Sequence, residues 1–192
     1  MIIDLLRQEH RNIEKLLQVL EEELNIFDRG DRLDYEVVHA VIAYFQVYPD
    51  TYHHPQEDLV FEKLKARDIA AAASVGDLAA EHRSGADRLH RVAQAVGHAL
   101  RDQEVLRYSI VETIRDFIVS ERRHIAMEER AFFPAAIQAL QPEDWADIAS
   151  RLADRKDPLF SEVVEERFYT VRQRIFRLER EAREERADHG AC

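Results

Sequence analysis

Cysteine is almost missing from this chain: of 192 residues only Cys192 is one. An internal disulfide framework and a thiolate metal site are therefore excluded. Glycine and proline are scarce, five of each, and aromatic residues make up 8%, a poor composition for an all-β fold built on tight turns. No apolar run approaches the roughly 20 residues of a membrane span. The first ten residues, Met1 to His10, carry charge too early for a secretory signal peptide. Positive charge is also in deficit, with 27 Lys and Arg against 38 Asp and Glu and a net charge of −11. Nucleic acid and anionic membranes are thus not expected as partners. A soluble, reducing, cytoplasmic setting is the expectation.

What the chain has is helix-forming residues, with Ala, Leu, Glu and Arg throughout and a hydrophobic content of 46%. A first helix is expected from Ile3 to Phe27, on the stripe Ile3, Leu6, His10, Ile13, Leu17, Leu20, Leu24, Phe27. Its three-and-four spacing is that of one amphipathic face. After a turn at Asp28–Asp31, with Gly30 as terminator, a second helix starts near Asp34 and carries Val38, Val41, Ile42 and Phe45. Pro49 and Pro55 interrupt it, so the helix either kinks or restarts near Asp50. The stripe then continues through His53, Glu57, Val60 and Leu64, and residues 67–76 read as a partly helical connection. The third stripe is Leu78, His82, Gly85, Leu89, Val92, Val96, Leu100. The fourth helix is expected from Glu104 to Phe132, on Ile110, Ile114, Phe117, Glu121, His124, Glu128, then Ala131 and Ala135.

Four long amphipathic helices with short links predict an all-α, up-down four-helix bundle over residues 1–140. Residues 141–192 form a C-terminal helical extension with a charged tail. Pro142 opens a short helix to about Ala153. A last helix, from Leu159 to Ala187, carries Phe160, Val164, Phe168, Val171, Ile175 and Leu178, and packs on the bundle or on a second subunit as a homodimer contact.

Ionisable residues occupy core slots in every bundle helix: His10, His53, Glu57, His82, Glu121, His124 and Glu128. A lone inward histidine is ordinarily a hydrogen-bonded core residue. Here four helices each supply one, and two of them add a glutamate four residues on, His53 with Glu57 and His124 with Glu128, neighbours on one helix face. Buried carboxylates without a positive partner cost several kcal/mol. Imidazole and carboxylate without thiolate suit iron or manganese, and less specifically zinc. Carboxylates from two helices can bridge two cations about 3.5–4 Å apart. Glu121 reads either as a direct ligand or as a partner holding an imidazole N–H, and His54 as a surface or supporting group. Asp58 and Glu129 fall one step off the inward face and are expected in solvent, as are His39, His90, His98 and His189.

The stretches Tyr52-His53-His54-Pro55-Gln56-Glu57-Asp58 and His124-Ile-Ala-Met-Glu128-Glu129, with His10 and Glu81-His82 in order and Phe132-Phe133-Pro134 closing the fourth helix, resemble the hemerythrin-like family of HHE cation-binding domains. The resemblance covers roughly residues 1–140. It implies a four-helix bundle around two non-haem iron ions, an oxo- or hydroxo-bridged di-iron centre. Carried over, His10 and His53 would bind one iron, His82 and His124 the other, and Glu57 and Glu128 would bridge. Oxygen-carrying members have a second histidine four residues after the first on the third helix, and Ala86 stands there instead. Glu121, His54 or water would fill that gap.

A module that binds or senses oxygen, nitric oxide, iron or redox state is the first expectation, with a small diatomic ligand or oxidant and an unidentified protein partner. The second is a di-iron enzyme that reduces peroxide or nitric oxide, or an iron donor in iron–sulfur repair, though the cysteine-containing N-terminal region of such repair proteins is missing. The third is a metal-free interaction bundle.

Overall fold

The computed structural model describes residues 2–101, 107–152, 157–160 and 166–189, all of them in helices, turns or short links with no strand among them. Helix α1 (Ile2–Asp28) runs uninterrupted, and Gly30 follows it at φ +95°. Asp34 then caps α2 (Tyr35–Val47), its Oδ1 accepting the amides of Glu36 and Val37 at 3.1 Å, as short acidic N-caps do for otherwise orphaned donors. A π-helical turn, Pro49–His53, leads into α3 (His54–Arg67). Asp68 caps the short α4 (Ile69–Val75), and Asp77 caps α5 (Leu78–Leu100). Helix α6 (Arg107–Met127) passes through a second π-helical turn, Glu128–Phe132, into α7 (Phe133–Ala139). The expected start of that helix at Glu104 lies outside the described residues.

Four pairings, α1 with α6, α6 with α5, α5 with α2 and α2 with α1, close a ring of helices. One apolar cluster fills its interior with residues such as Leu20, Val41, Phe45, Val92, Ile114 and Phe117. A second gathers Ile3, Leu6, Val60, Leu64, Leu78, Phe132, Phe133 and Ala136. Helix α8 (Pro142–Arg151) covers that second cluster with Ile148 and Trp145.

Two expectations change. Ala131 and Ala135 were to continue the inward stripe after Glu128, but Phe132, Phe133 and Ala136 are fully buried there instead. The π turn is the cause: one extra residue in the turn moves every later side chain one position round. It also suits Pro134, which has no N–H to offer and whose ring would collide with the carbonyl four residues back in a regular helix. The last helix begins at Tyr169, after a 3-10 turn at Glu166–Phe168, not at Leu159. Asp157 Oδ1 accepts the amides of Leu159 and Phe160 at 2.8 and 2.9 Å and holds that segment in a turn. Val164 and Ala153 lie outside the described residues. Helix α9 (Tyr169–His189) buries Val171 and Ile175, with Phe168 just before it, against α1 and α2 of the same chain.

Candidate metal centre

Between the two apolar clusters α1, α5, α6 with its π turn, and the π turn leading into α3 each place polar side chains. His10 follows Leu6 of one cluster and precedes Ile13 of the other, and His82 stands likewise between Leu78 and Leu89. His53 and Glu57 lie between Tyr48 and Val60, and His124 and Glu128 between Ile118 and Phe132. Glu57 and Glu128 are fully buried, and the four imidazoles are at most 11% exposed.

The arrangement is a cage with two halves. In the first, Glu57 Oε1 lies 3.4 Å from His10 Nε2 and 3.3 Å from His53 Nε2, and Glu128 Oε2 lies 3.3 Å from His10 Nε2. In the second, Glu57 Oε2 lies 3.4 Å from His82 Nε2, and Glu128 Oε1 lies 3.6 Å from His82 Nε2 and 3.2 Å from His124 Nε2. Each carboxylate thus turns one oxygen to each histidine pair. All four of these oxygens, with Nε2 of His10, His82 and His124, are buried and make no hydrogen bond. Native interiors rarely leave such atoms unpaired. Ligand atoms about 2.1 Å from a shared first-row cation, at bond angles near 90–110°, stand about 3.0–3.5 Å apart. The observed separations match that spacing, so the donor set fits metal ions.

A second layer of carboxylates holds the imidazoles from behind. Glu9 Oε2 is 2.7 Å from His53 Nδ1, Glu129 Oε1 is 3.0 Å from His10 Nδ1, and Asp58 Oδ1 is 3.2 Å from His82 Nδ1. With a proton on Nδ1 of each ring, the Nε2 lone pair faces the cage. Glu129 and Asp58, expected to be solvated, therefore have a structural partner, although Asp58 stays 52% exposed. Glu9 is 5% exposed and was not among the expected residues. The signal that marks all three is adjacency: Glu9-His10, Glu57-Asp58 and Glu128-Glu129 each pair a cage residue with a carboxylate that serves a neighbouring helix.

The buried negative charge is answered within the cage even without metal. Burial works to lower the pKa of His10, but Glu128 and Glu57 beside it raise it to about 10. Burial likewise opposes protonation of His82, while Asp58, Glu128 and Glu57 lift it to about 11. Glu57, despite full burial, is held well below the usual carboxylate range by His53, His10 and His82. His124 goes the other way, its pKa lowered by burial.

His54, Glu57, His82 and His124 form one group with ligand atoms within 4.8 Å of one another, and His10, His53 and Glu57 form another. His54 thus joins the second half, its ring stacked on His82 at 4.3 Å between centroids. The π turn ending at His53 turns each residue through a smaller angle than a regular helix, which brings two successive histidines toward one cage. Glu121 is buried against Gly85, where an added Cβ would stand 3.4 Å from Glu121 Oε1. Ala86 is exposed, so the inward neighbour of His82 is Gly85 and the space beside it belongs to Glu121. His39, His90 and His98 are exposed, as expected. A cavity of about 270 Å³, lined by Val75, Gly76, Asp77, Glu81, Arg123 and Met127, reaches His124.

No helix among the described residues is long and apolar enough to cross a membrane. The domain family described as the hemerythrin HHE cation binding domain matches residues 1–136. No curated protein and no solved structure matches the chain significantly.

Proposed function

The chain belongs to the hemerythrin HHE cation-binding family, and we propose that its cage holds two iron ions as a centre that binds or senses a small ligand, oxygen or nitric oxide, or reports iron and redox state. His10 and His53 would hold one ion, His82 and His124 with His54 would hold the other, and Glu57 and Glu128 would offer one oxygen to each. The observation that carries this reading is the pair of buried carboxylates, each with one unpaired oxygen toward each histidine pair. Bound iron would supply one-electron redox chemistry and positions open to a small ligand. The chain's own work is to present neutral Nε2 atoms of His10, His53 and His82 by holding Nδ1 from behind, and to exclude bulk water with the apolar clusters on both sides.

A di-iron enzyme that reduces peroxide or nitric oxide is the second reading. The cavity that reaches His124 favours it, since turnover needs an approach for an oxidant and an exit for product.

Metal analysis of histidine variants tests the site. His53→Ala and His124→Ala should each lose iron, and His90→Ala should keep it; equal iron in all three would refute the assignment. Stopped-flow mixing of the reduced protein with oxygen separates the two readings. A reversible near-ultraviolet charge-transfer band means binding, and irreversible oxidation that cycles with peroxide means turnover.

A further inference from the structure

Tyr48 is connected to the cage by a chain of hydrogen bonds that the binding reading does not use. Its hydroxyl donates to Glu9 Oε1 at 2.8 Å, and Glu9 Oε2 is 2.7 Å from His53 Nδ1. Tyr48, Glu9 and His53 are 6%, 5% and 2% exposed. On its other side the Tyr48 ring stacks on Tyr44, with centroids 5.8 Å apart, and lies 5.7 Å from Tyr52. Tyr48, Tyr52 and Glu9 all line a cavity of about 450 Å³ bounded by Leu5, Pro55 and Arg151.

A core ring needs no hydroxyl to pack, and a buried hydroxyl must find a hydrogen-bond partner. Here the partner is a carboxylate that already serves a metal-binding histidine. That combination has a chemical consequence. A neutral phenol yields an electron readily only when its proton leaves in the same event, and Glu9 is a base placed on that proton. The same Glu9 joins the phenol to His53, so the electron has a short hydrogen-bonded path to the cage.

On the basis of the two-iron reading, we propose that Tyr48 is a redox-active relay that supplies an electron to the centre when it meets hydrogen peroxide. Reduction of peroxide to two waters takes two electrons and two protons. When the metal pair has only one electron to give, Tyr48 gives the other and passes its hydroxyl proton to Glu9. Both protons that peroxide takes up come from solvent, Glu9 gives the phenol's proton back to solvent, and Tyr48 is left as a neutral phenoxyl radical. A small enediol reductant such as ascorbate, reaching Tyr48 from the cavity, returns a hydrogen atom and leaves as its own one-electron-oxidised radical.

The test is freeze-quench electron paramagnetic resonance of the iron-loaded protein mixed with a limited amount of hydrogen peroxide, with iron content measured on every sample. A phenoxyl signal is expected in the wild type, lost in Tyr48→Phe and kept in Tyr108→Phe, a change at an exposed ring (67% exposed). Ascorbate should shorten its lifetime. A nitrone spin trap with peptide mass spectrometry gives a second reading on the wild type alone, with the adduct expected on Tyr48; this decides the matter if Tyr48→Phe loses iron. Iron-loaded wild type with no radical, a signal unchanged in Tyr48→Phe, or an adduct on a tyrosine other than Tyr48 would overturn the relay and leave the metal site standing. A wild type that takes up no iron would overturn both.

Discussion

Glu9, Glu129 and Asp58 do for the histidines what periodicity cannot reveal: they fix which nitrogen carries the proton. Replacing a carboxylate behind a ligating imidazole typically weakens metal binding by about 10–100-fold. Glu9→Ala should fall at the upper end, because Glu9 is buried and its loss also strands the Tyr48 hydroxyl. Asp58→Ala should fall at the lower end, because half of Asp58 already faces water. Competition against a colorimetric iron chelator measures both, and affinities equal to the wild type would reduce these residues to surface decoration. Protonation supplies a second prediction at this scale. Metal binds the neutral imidazole, whereas His10 and His82 of the metal-free cage titrate at about 10 and 11, so at pH 7 both carry protons that the metal must displace. Apparent iron affinity should therefore rise with pH across the neutral range, with net protons released on loading in weakly buffered solution; a pH-independent affinity would contradict the charge balance. The same raised values stabilise the metal-free fold fully below the ordinary histidine pKa of about 6.5 and lose that contribution as pH climbs through 10. The six principal cage residues were legible in the sequence, because each breaks an apolar stripe where only a partner of opposite charge makes sense. Glu9 was not, because a residue next to an inward one reads as outward until the packing of a neighbouring helix is known.

At the scale of elements, the two π-helical turns decide where the cage sits. One ends at His53 and the other begins at Glu128, so both His-x-x-x-Glu elements adjoin a turn of larger radius. Each is followed by a proline, Pro55 and Pro134, that a regular helix would have to accommodate by bending. Prolines at 49 and 55 made a break in the second helix legible, but nothing in a period of 3.6 marks the extra residue, which is why the stripe beyond Glu128 was read one position early. Inserting one alanine after Ala131 puts a further residue into the second turn and should rotate Phe132 and Phe133 out of sites where both are fully buried. Loss of large buried aromatics costs about 3–5 kcal/mol, so chemical denaturation should show a deficit of that order. A variant as stable as the parent would mean that the turn is incidental to the packing.

Across the whole molecule, the described C-terminal helices α8 and α9 pack on the bundle of the same chain. The sequence left open whether the stripe of the last helix meets this bundle or another copy, since an apolar face does not say what covers it; α9 lies on α1 and α2 of the same chain. Arg174 pairs there with Glu23, which is 1% exposed and also accepts the Asp34 amide at 2.8 Å. Arg174→Ala would leave a buried carboxylate with one partner, and breaking a buried pair from one side costs about 3 kcal/mol or more. Denaturation should show that loss while iron content stays unchanged, because Glu23 packs with the apolar cluster and not with the cage. Metal links the scales, since an ion bound only by the folded chain adds stability in proportion to the logarithm of its excess over Kd, about 4 kcal/mol at a thousandfold excess. The most direct test of a two-iron cage is therefore metal content and an optical spectrum of protein purified from iron-replete cells, with the melting temperature followed as iron is removed and returned anaerobically. Two irons per chain are expected, one for each of the two ligand groups, with a near-ultraviolet charge-transfer band and a melting temperature that falls on chelation and recovers on reloading. Protein without iron, whose melting temperature does not respond when iron is added, would contradict it.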